Sequence, residues 1–286
     1  MNNSIINEPW AKIASYRRLI LFLLVLTPTI IASSYMAGVL PHKGSTFLEL
    51  TIVIVFGILF AWISLGFLTA LTGFLILLHK GDYFAVSNRL HDYMGSINPH
   101  SRTAILVPIC NEDVDRVVAG IRASYESLKE TGQLPHFDFF ILSDSQDPDK
   151  WVQEEAAWAD FCRDVDGFGR IYYRRRRVNL KRKSGNVADF CRRYGRNYKY
   201  MIVFDADSIM SGPTLVSMVR MMEVHPTAGI IQTAPVAVNR ETLIARIQQF
   251  AHHAYGPMFA AGLHYWLLGD AQYWGHNAII RVQAFT

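Results

Sequence analysis

Cysteine is scarce: the 286 residues hold three, Cys110, Cys162 and Cys191, an odd count without metal-ligand spacing. That excludes a disulfide framework and fits small buried thiols in a reducing compartment. No G-x-G-x-x-G follows the first strand-like run and no G-x-x-x-x-G-K-[ST] occurs anywhere. The signatures of dinucleotide oxidoreductases and P-loop enzymes are therefore missing. Internal repeats and low-complexity tracts are absent as well. Charge of either sign is missing from two long runs, 22 residues at 19–40 and 29 residues at 50–78. Each is long enough to cross a bilayer as a helix. The first is longer than the apolar core of a signal peptide, and the second follows almost at once.

What is present divides into a membrane portion and a water-facing one. Lys12, Arg17 and Arg18 precede the hairpin, and Lys80 and Arg89 follow it. The 41–49 loop holds only His42 and Lys43 on the basic side, so both flanks are expected in the cytoplasm. Glu49, at the start of the second run, reads as interfacial and not as a proton site. The expected domains are a cytosolic segment 1–18, spans at about 19–40 and 50–78, a connector 79–101 and a cytosolic domain from 102 to 286. In that domain strand and helix signals alternate. Strands are expected at 103–109, 137–142, 170–173, 200–204 and 229–232. Helices are expected at 113–130, 151–162 and 186–194 (closed by Gly195), near Pro213, and from about Arg240. The helix near Pro213 should bury Leu215, Met218, Val219 and Met222, and the last one Leu243, Ile244, Ile247 and Phe250. Alternating strands and helices indicate an α/β fold with a mostly parallel sheet.

Four polar clusters sit where strands end or helices begin: Val107 to Asp113 with Glu112, then Ser143-Asp144-Ser145, Lys183-Ser184-Gly185-Asn186, and Asp205-Ala206-Asp207. Lysine beside the free N–H groups of a helix start favours an anion. Residues i and i+2 of a strand share a face, so Asp205 and Asp207 would converge at a carboxyl end, where α/β sheets bind ligands. Two adjacent carboxylates favour a bridging hard cation such as Mg2+ or Mn2+. A plainer reading, one capping Asp beside one ordinary loop Asp, also suits that short stretch.

In this order and spacing the four clusters resemble the family 2 glycosyltransferases, over residues 101–286. Segments 108–113, 204–210 and 273–278 are similar to the branch that builds osmoregulated periplasmic glucans; bacterial cellulose synthase and hyaluronan synthase are more distant relatives. The resemblance implies a two-helix transmembrane hairpin plus a truncated GT-A domain in the bacterial inner membrane, with the catalytic part cytosolic. It implies an inverting, metal-dependent transfer of glucose from UDP-glucose to a growing β-glucan acceptor. Glu112, Asp144 and Lys183 would hold the donor nucleotide, Asp205 and Asp207 the Mg2+ or Mn2+, and Gly275, His276 and Asn277 would shape the acceptor site. Beyond the bilayer, the implied partners are acyl carrier protein and periplasmic glucan-processing proteins, with no nucleic acid. The family's acidic general base and its Gln-x-x-Arg-Trp motif do not occur before Thr286, so these 286 residues alone are expected not to polymerise sugar. Other family 2 synthases (cellulose-, hyaluronan- or chitin-like) and a non-catalytic nucleotide-sugar-binding scaffold are the competing readings; a transporter subunit fits two spans poorly.

Several signals have plain alternatives. Residues 170–183 carry eight basic side chains and no acid. That run suits a face for UDP-sugar or anionic lipid, or a solvated face, better than a nucleic-acid surface, which would interleave more aromatics. His252 and His253 point apart on a helix and read as surface or interface residues. Trp266 and Trp274 suit sugar stacking and packing equally. Cys110 reads as a small buried residue and not as a nucleophile.

Overall fold

The computed structural model describes residues 9–79, 81–86, 96–239, 241–270 and 273–285. Lys80, Arg89 and Arg240, and residues 87–95 of the expected connector, lie outside the described residues. By their contacts the residues form two units: Met1–Asn88 with Ala234–Gln272, and Arg89–Thr233 with Tyr273–Thr286.

The first unit is helical. Helix α1 (Pro9–Val39) and helix α2 (Phe47–Leu78) contain the two uncharged runs almost entirely and begin before them, by ten residues and by three. They reach mean hydropathies of 2.1 and 2.5, long and apolar enough to cross a membrane. The turn between them is built by Thr46 and Glu49. Thr46 Oγ1 accepts from the Glu49 N–H at 3.3 Å, while the Glu49 carboxylate accepts from His42 N at 3.0 Å and Gly44 N at 2.9 Å. Glu49 therefore belongs to the cap.

Helix α7 (Leu243–Leu267) packs on α2 through glycine. A Cβ on Gly73 would lie 1.8 Å from Met258 O, and one on Gly262 1.9 Å from Thr69 O. The backbones thus approach as only small residues allow. Arg17 donates to Tyr265 O at 3.1 Å and pairs with both Asp82 oxygens, and Arg18 donates to Leu267 O at 3.0 Å. These two arginines, expected as charges flanking a span, satisfy free carbonyls at the end of α7. Leu243, Ile244, Ile247 and Phe250 are exposed, contrary to the expectation that α7 buries them. Periodicity finds an apolar stripe but not what it faces; its continuation at Met258 and Gly262 meets α2.

The second unit is an α/β layer structure. Strands β1 (Thr103–Ile109) and β2 (Phe137–Ser143) are buried along their whole length. They read as near-continuous apolar runs because helices cover both faces. The sheet order is β3-β2-β1-β4-β6-β5, with β3 (Ile171–Arg175), β4 (Tyr200–Val203), β5 (Ile230–Gln232) and β6 (Ala278–Arg281). The pairs β1–β2, β1–β4 and β2–β3 are parallel, while β6 runs antiparallel between β4 and β5. The mostly parallel sheet is as expected; β6 was not anticipated, since its four residues carry no pattern of their own.

Helix α3 (Val114–Glu130) starts at its Asp113 N-cap and buries Val114, Val117, Ile121, Tyr125 and Leu128. Helix α4 (Pro148–Val165) is longer at both ends than expected. Helix α5 (Arg182–Tyr194) starts four residues before the expected Asn186 and ends at Gly195 in right-handed, not left-handed, geometry. Helix α6 (Gly212–Val224) buries Leu215, Met218, Val219 and Met222 as expected. Its Gly212 lets it approach α3 closely, since a Cβ there would meet Ser127 O at 2.2 Å.

Candidate functional site

Chain order along the sheet reverses at β1. From β1 the chain steps to β2 and β3 on one side, then returns to place β4 on the other. A crevice opens at the carboxyl ends of strands where such a reversal occurs. There the structure has a cleft of about 870 Å3, whose lining includes Glu112, Asp144, Lys183, Asp205 and Asp207. Five residues from four separate sequence clusters thus share one cleft.

The β1 end turns sharply at Asn111, which takes a left-handed φ of 63°. Asn tolerates that geometry better than most residues. Glu112 folds back to accept from Cys110 N–H, and Asn111 N–H donates to Ser145 Oγ at 2.8 Å. Cys110 is exposed, contrary to the sequence reading, because it lies past the last ladder residue of β1. Its thiol is pushed up by partial burial and by the charges of Glu112, Asp144 and Glu154, so it stays protonated.

Asp144 continues the ladder past β2, its N–H reaching Ile109 O at 2.8 Å. Asp144 is 95% buried, and its carboxylate is held in a two-pronged pair by Arg176, with Nε 2.5 Å and Nη2 2.6 Å from its oxygens. Asn179 donates to the Asp144 carbonyl, and Arg176 also donates to Leu180 O and Arg182 O, which folds the 176–182 loop beside the cleft. The Asp144 hydrogen bond holds the Arg176 proton more firmly than usual, against the opposing effect of burial. Gly185 is required where that loop meets α5, for a Cβ would sit 1.9 Å from Leu180 O.

Strand β4 ends at Val203, so Asp205 and Asp207 lie in a turn, not on one strand face. Convergence comes from that turn, closed by Ser208 N–H on Asp205 O at 3.0 Å and Asp205 N–H on Ser208 Oγ at 3.1 Å. The turn, not the alternation of a strand expected to run to 204 and beyond, places both residues in the cleft. Lys183 Nζ pairs with Asp205 and donates to Gly275 O at 2.9 Å. His276 Nε2 lies 3.7 Å from Asp205, and Arg116 lies 4.0 Å from Asp207. Gly275 and His276 thereby border the same carboxylate. Asn277 is tied to β4: its N–H bonds Val203 O at 2.6 Å, and its buried Oδ1 has no partner. Tyr273, pushed up to about 12 by burial and by Asp205, remains a neutral phenol.

Asp205 and Asp207 fit a divalent cation by the chemistry of their donors. Both present hard oxygens to an open cleft, and Asp207 is 64% exposed. No group of three His, Cys, Asp or Glu ligands occurs among the described residues, so further ligands would come from water or a bound anion.

The basic run is mostly internal wiring. Arg170 donates to Leu134 O and Phe137 O, Arg174 pairs with Asp189, Arg176 with Asp144, and Lys183 with Asp205. Arg176 and Asn179 were not singled out, because charge density cannot separate a buried strut from a solvated side chain. Trp266 is buried and Trp274 is half-exposed next to Gly275.

The family model for glycosyl transferase family 2 matches residues 104–286. A glucans biosynthesis glucosyltransferase H from Ralstonia nicotianae is 56% identical over 276 residues, which is 96% of this chain and 32% of that protein. The protein of the same name from Dickeya dadantii is 52% identical over 96% of this chain and 35% of its own length. The chain therefore spans about a third of the length of these curated relatives. A mannosyltransferase from Pyrobaculum calidifontis, solved with GDP-Man and Mn2+, aligns over 61% of this chain and 46% of its own. At 15% identity and a TM-score of 0.40 that likeness carries no argument.

Proposed function

Because this chain belongs to glycosyl transferase family 2, we propose that the cleft binds UDP-glucose and that the full-length protein transfers its glucose, with inversion, to a β-glucan at the bacterial inner membrane. One observation carries the reading: Glu112, Asp144, Lys183, Asp205 and Asp207 line a single cleft at the switch point of the sheet. Substrate identity draws on the names of the relatives in Ralstonia and Dickeya.

Each side chain has a task that its surroundings support. Asp144, oriented from behind by Arg176, accepts hydrogen bonds from uracil N–H or ribose hydroxyl groups. Glu112 faces the same cleft from the β1 loop and takes the remaining donor. Lys183 moves between Asp205 and a phosphate, both within reach of one flexible ammonium. Asp205 and Asp207 hold a divalent cation, Mg2+ or Mn2+, which when bound offsets charge growing on the departing diphosphate. His276 and Gly275 border the acceptor side through Asp205 and Lys183.

A metal-independent binding module is the second reading. Lys183 on Asp205 favours it, because that carboxylate already has a cationic partner. Calorimetry of UDP binding to the full chain in detergent separates the two. The transferase reading expects at least tenfold tighter binding with Mn2+ and loss of that gain in Asp207→Ala. Equal affinity with and without Mn2+, unchanged in Asp207→Ala, would refute it.

A further inference from the structure

Beneath the cleft lies a carboxylate that the proposed reaction does not use. Glu154, on α4, is 97% buried and no cation pairs with it among the described residues. Three hydroxyl groups donate to it: Ser145 Oγ to Oε1 at 2.5 Å, Ser143 Oγ at 2.6 Å and Tyr173 OH at 3.0 Å to Oε2. These serines flank Asp144, one on each side in sequence. Ser145 N–H also donates to Ser143 Oγ at 3.1 Å, closing the segment into a small ring. Ser145 Oγ then accepts from Asn111 N–H at 2.8 Å. Asn111 is the left-handed residue directly before Glu112. Glu154 and Glu112 also line one small hollow, with Ile109 and Ile141.

We propose that Glu154 is a positioning residue for nucleotide binding, setting both donor-site carboxylates through one hydroxyl relay. It acts on Asp144 through Ser143 and Ser145, and on Glu112 through Ser145 and Asn111. Two loops that end different strands, β1 and β2, are thereby fixed to a third element, α4. A buried carboxylate suits this task because each oxygen accepts more than one hydrogen bond. Hydroxyl groups suit it too, since one oxygen both donates to Glu154 and accepts from a backbone N–H. The inference rests on the donor-binding reading of the cleft.

The test uses the full chain in detergent, with Glu154→Gln, Ser145→Ala and the double variant. UDP affinity is read by calorimetry, thermal stability by differential scanning fluorimetry, and Asn111 amide protection by hydrogen exchange without ligand. Each single variant is expected to lose about tenfold in UDP affinity, the typical consequence of breaking one buried hydrogen bond. The double variant should lose less than the sum of the two single losses, because the Ser145–Glu154 hydrogen bond is common to both. Asn111 protection should fall in all three. Tyr173→Phe, which leaves the Ser145 arm intact, should keep affinity within about twofold, against the tenfold loss just given.

Unchanged Asn111 exchange and unchanged UDP affinity in both single variants would overturn the proposal. So would strictly additive losses. If Glu154→Gln does not fold, Ser145→Ala decides by the same two readouts. If the wild type itself binds no UDP, the donor-site reading falls, and the relay is judged on Asn111 exchange alone.

Discussion

Replacing Arg176 by Met removes the guanidinium that grips Asp144 while keeping an apolar stem of similar length. The two side chains are only 12% and 6% exposed, so Asp144 would be left as a buried carboxylate without its cation. Breaking a buried pair from one side costs roughly 3–5 kcal/mol, most of it the desolvation of the abandoned charge. The bonds from Arg176 to Leu180 O and Arg182 O would go as well, loosening the 176–182 loop. For a domain of this size that loss lowers Tm by about 6–20 °C. Scanning fluorimetry of the detergent-solubilised chain reads it directly. The companion variant Arg176→Met/Asp144→Leu should recover much of the Tm, because it removes the stranded charge, yet should not bind UDP. A Tm fall in Arg176→Met of less than about 2 °C would refute the reasoning, since it would mean that Asp144 is solvated or finds another partner.

Four further outcomes are expected. Gly73→Val forces a side chain onto Met258 O, costing about 1–3 kcal/mol of helix packing; faster trypsin cleavage at Arg246 is the readout, and unchanged cleavage counts against the close approach. Asp189 lies below the usual carboxylate range: burial alone would raise it, but the Arg193 hydrogen bond and the charges of Arg174, Arg193 and Arg192 outweigh that. Its contribution is therefore complete above the unfolded value of about 4 and is lost as pH falls through the lower folded value. Asp189→Asn should be destabilised by roughly 2 kcal/mol at neutral pH, the exposed Arg192 and Arg193 contributing little; urea titrations should show the gap to wild type closing in acid. Cys110, though exposed, should react slowly with iodoacetamide at neutral pH and faster in alkali, while Cys162, buried and pushed up to about 11, stays silent in the folded chain; mass spectrometry of the labelled sites checks both. Lys183→Met should bind Mn2+ more tightly than wild type, as read by electron paramagnetic resonance, because the ammonium no longer competes for Asp205.

Much of the framework was legible because its causes are local. The two uncharged runs, the amphipathic α3 and α6 and the all-apolar β1 and β2 follow from side-chain period and composition. Cys162 and Cys191 are buried as the composition suggested. Glu112, Asp144 and Lys183 were singled out through the family resemblance, and they share a cleft with Asp205 and Asp207 because β1, β2 and β4 are parallel neighbours. Strand β6 was not, because a four-residue strand between β4 and β5 exists only by pairing with them.

The sequence by itself marked the acids and the lysine at the ends of apolar runs, and the stripes along helices. Only the tertiary structure decided what each of them touches. The basic run 170–183 looks uniform in sequence, yet Arg174 and Arg176 are largely buried struts while Lys183 is 38% exposed and lines the cleft. The apolar stripe of α7 is continuous in sequence, yet Leu243, Ile244, Ile247 and Phe250 are exposed while Met258 and Gly262 pack on α2. Asp205 and Asp207 were read from a strand's alternation but are brought together by a turn. In each case the local pattern specifies a face or a charge, whereas burial and partner depend on which distant segments the fold brings alongside, and that information is not local to any stretch of the chain.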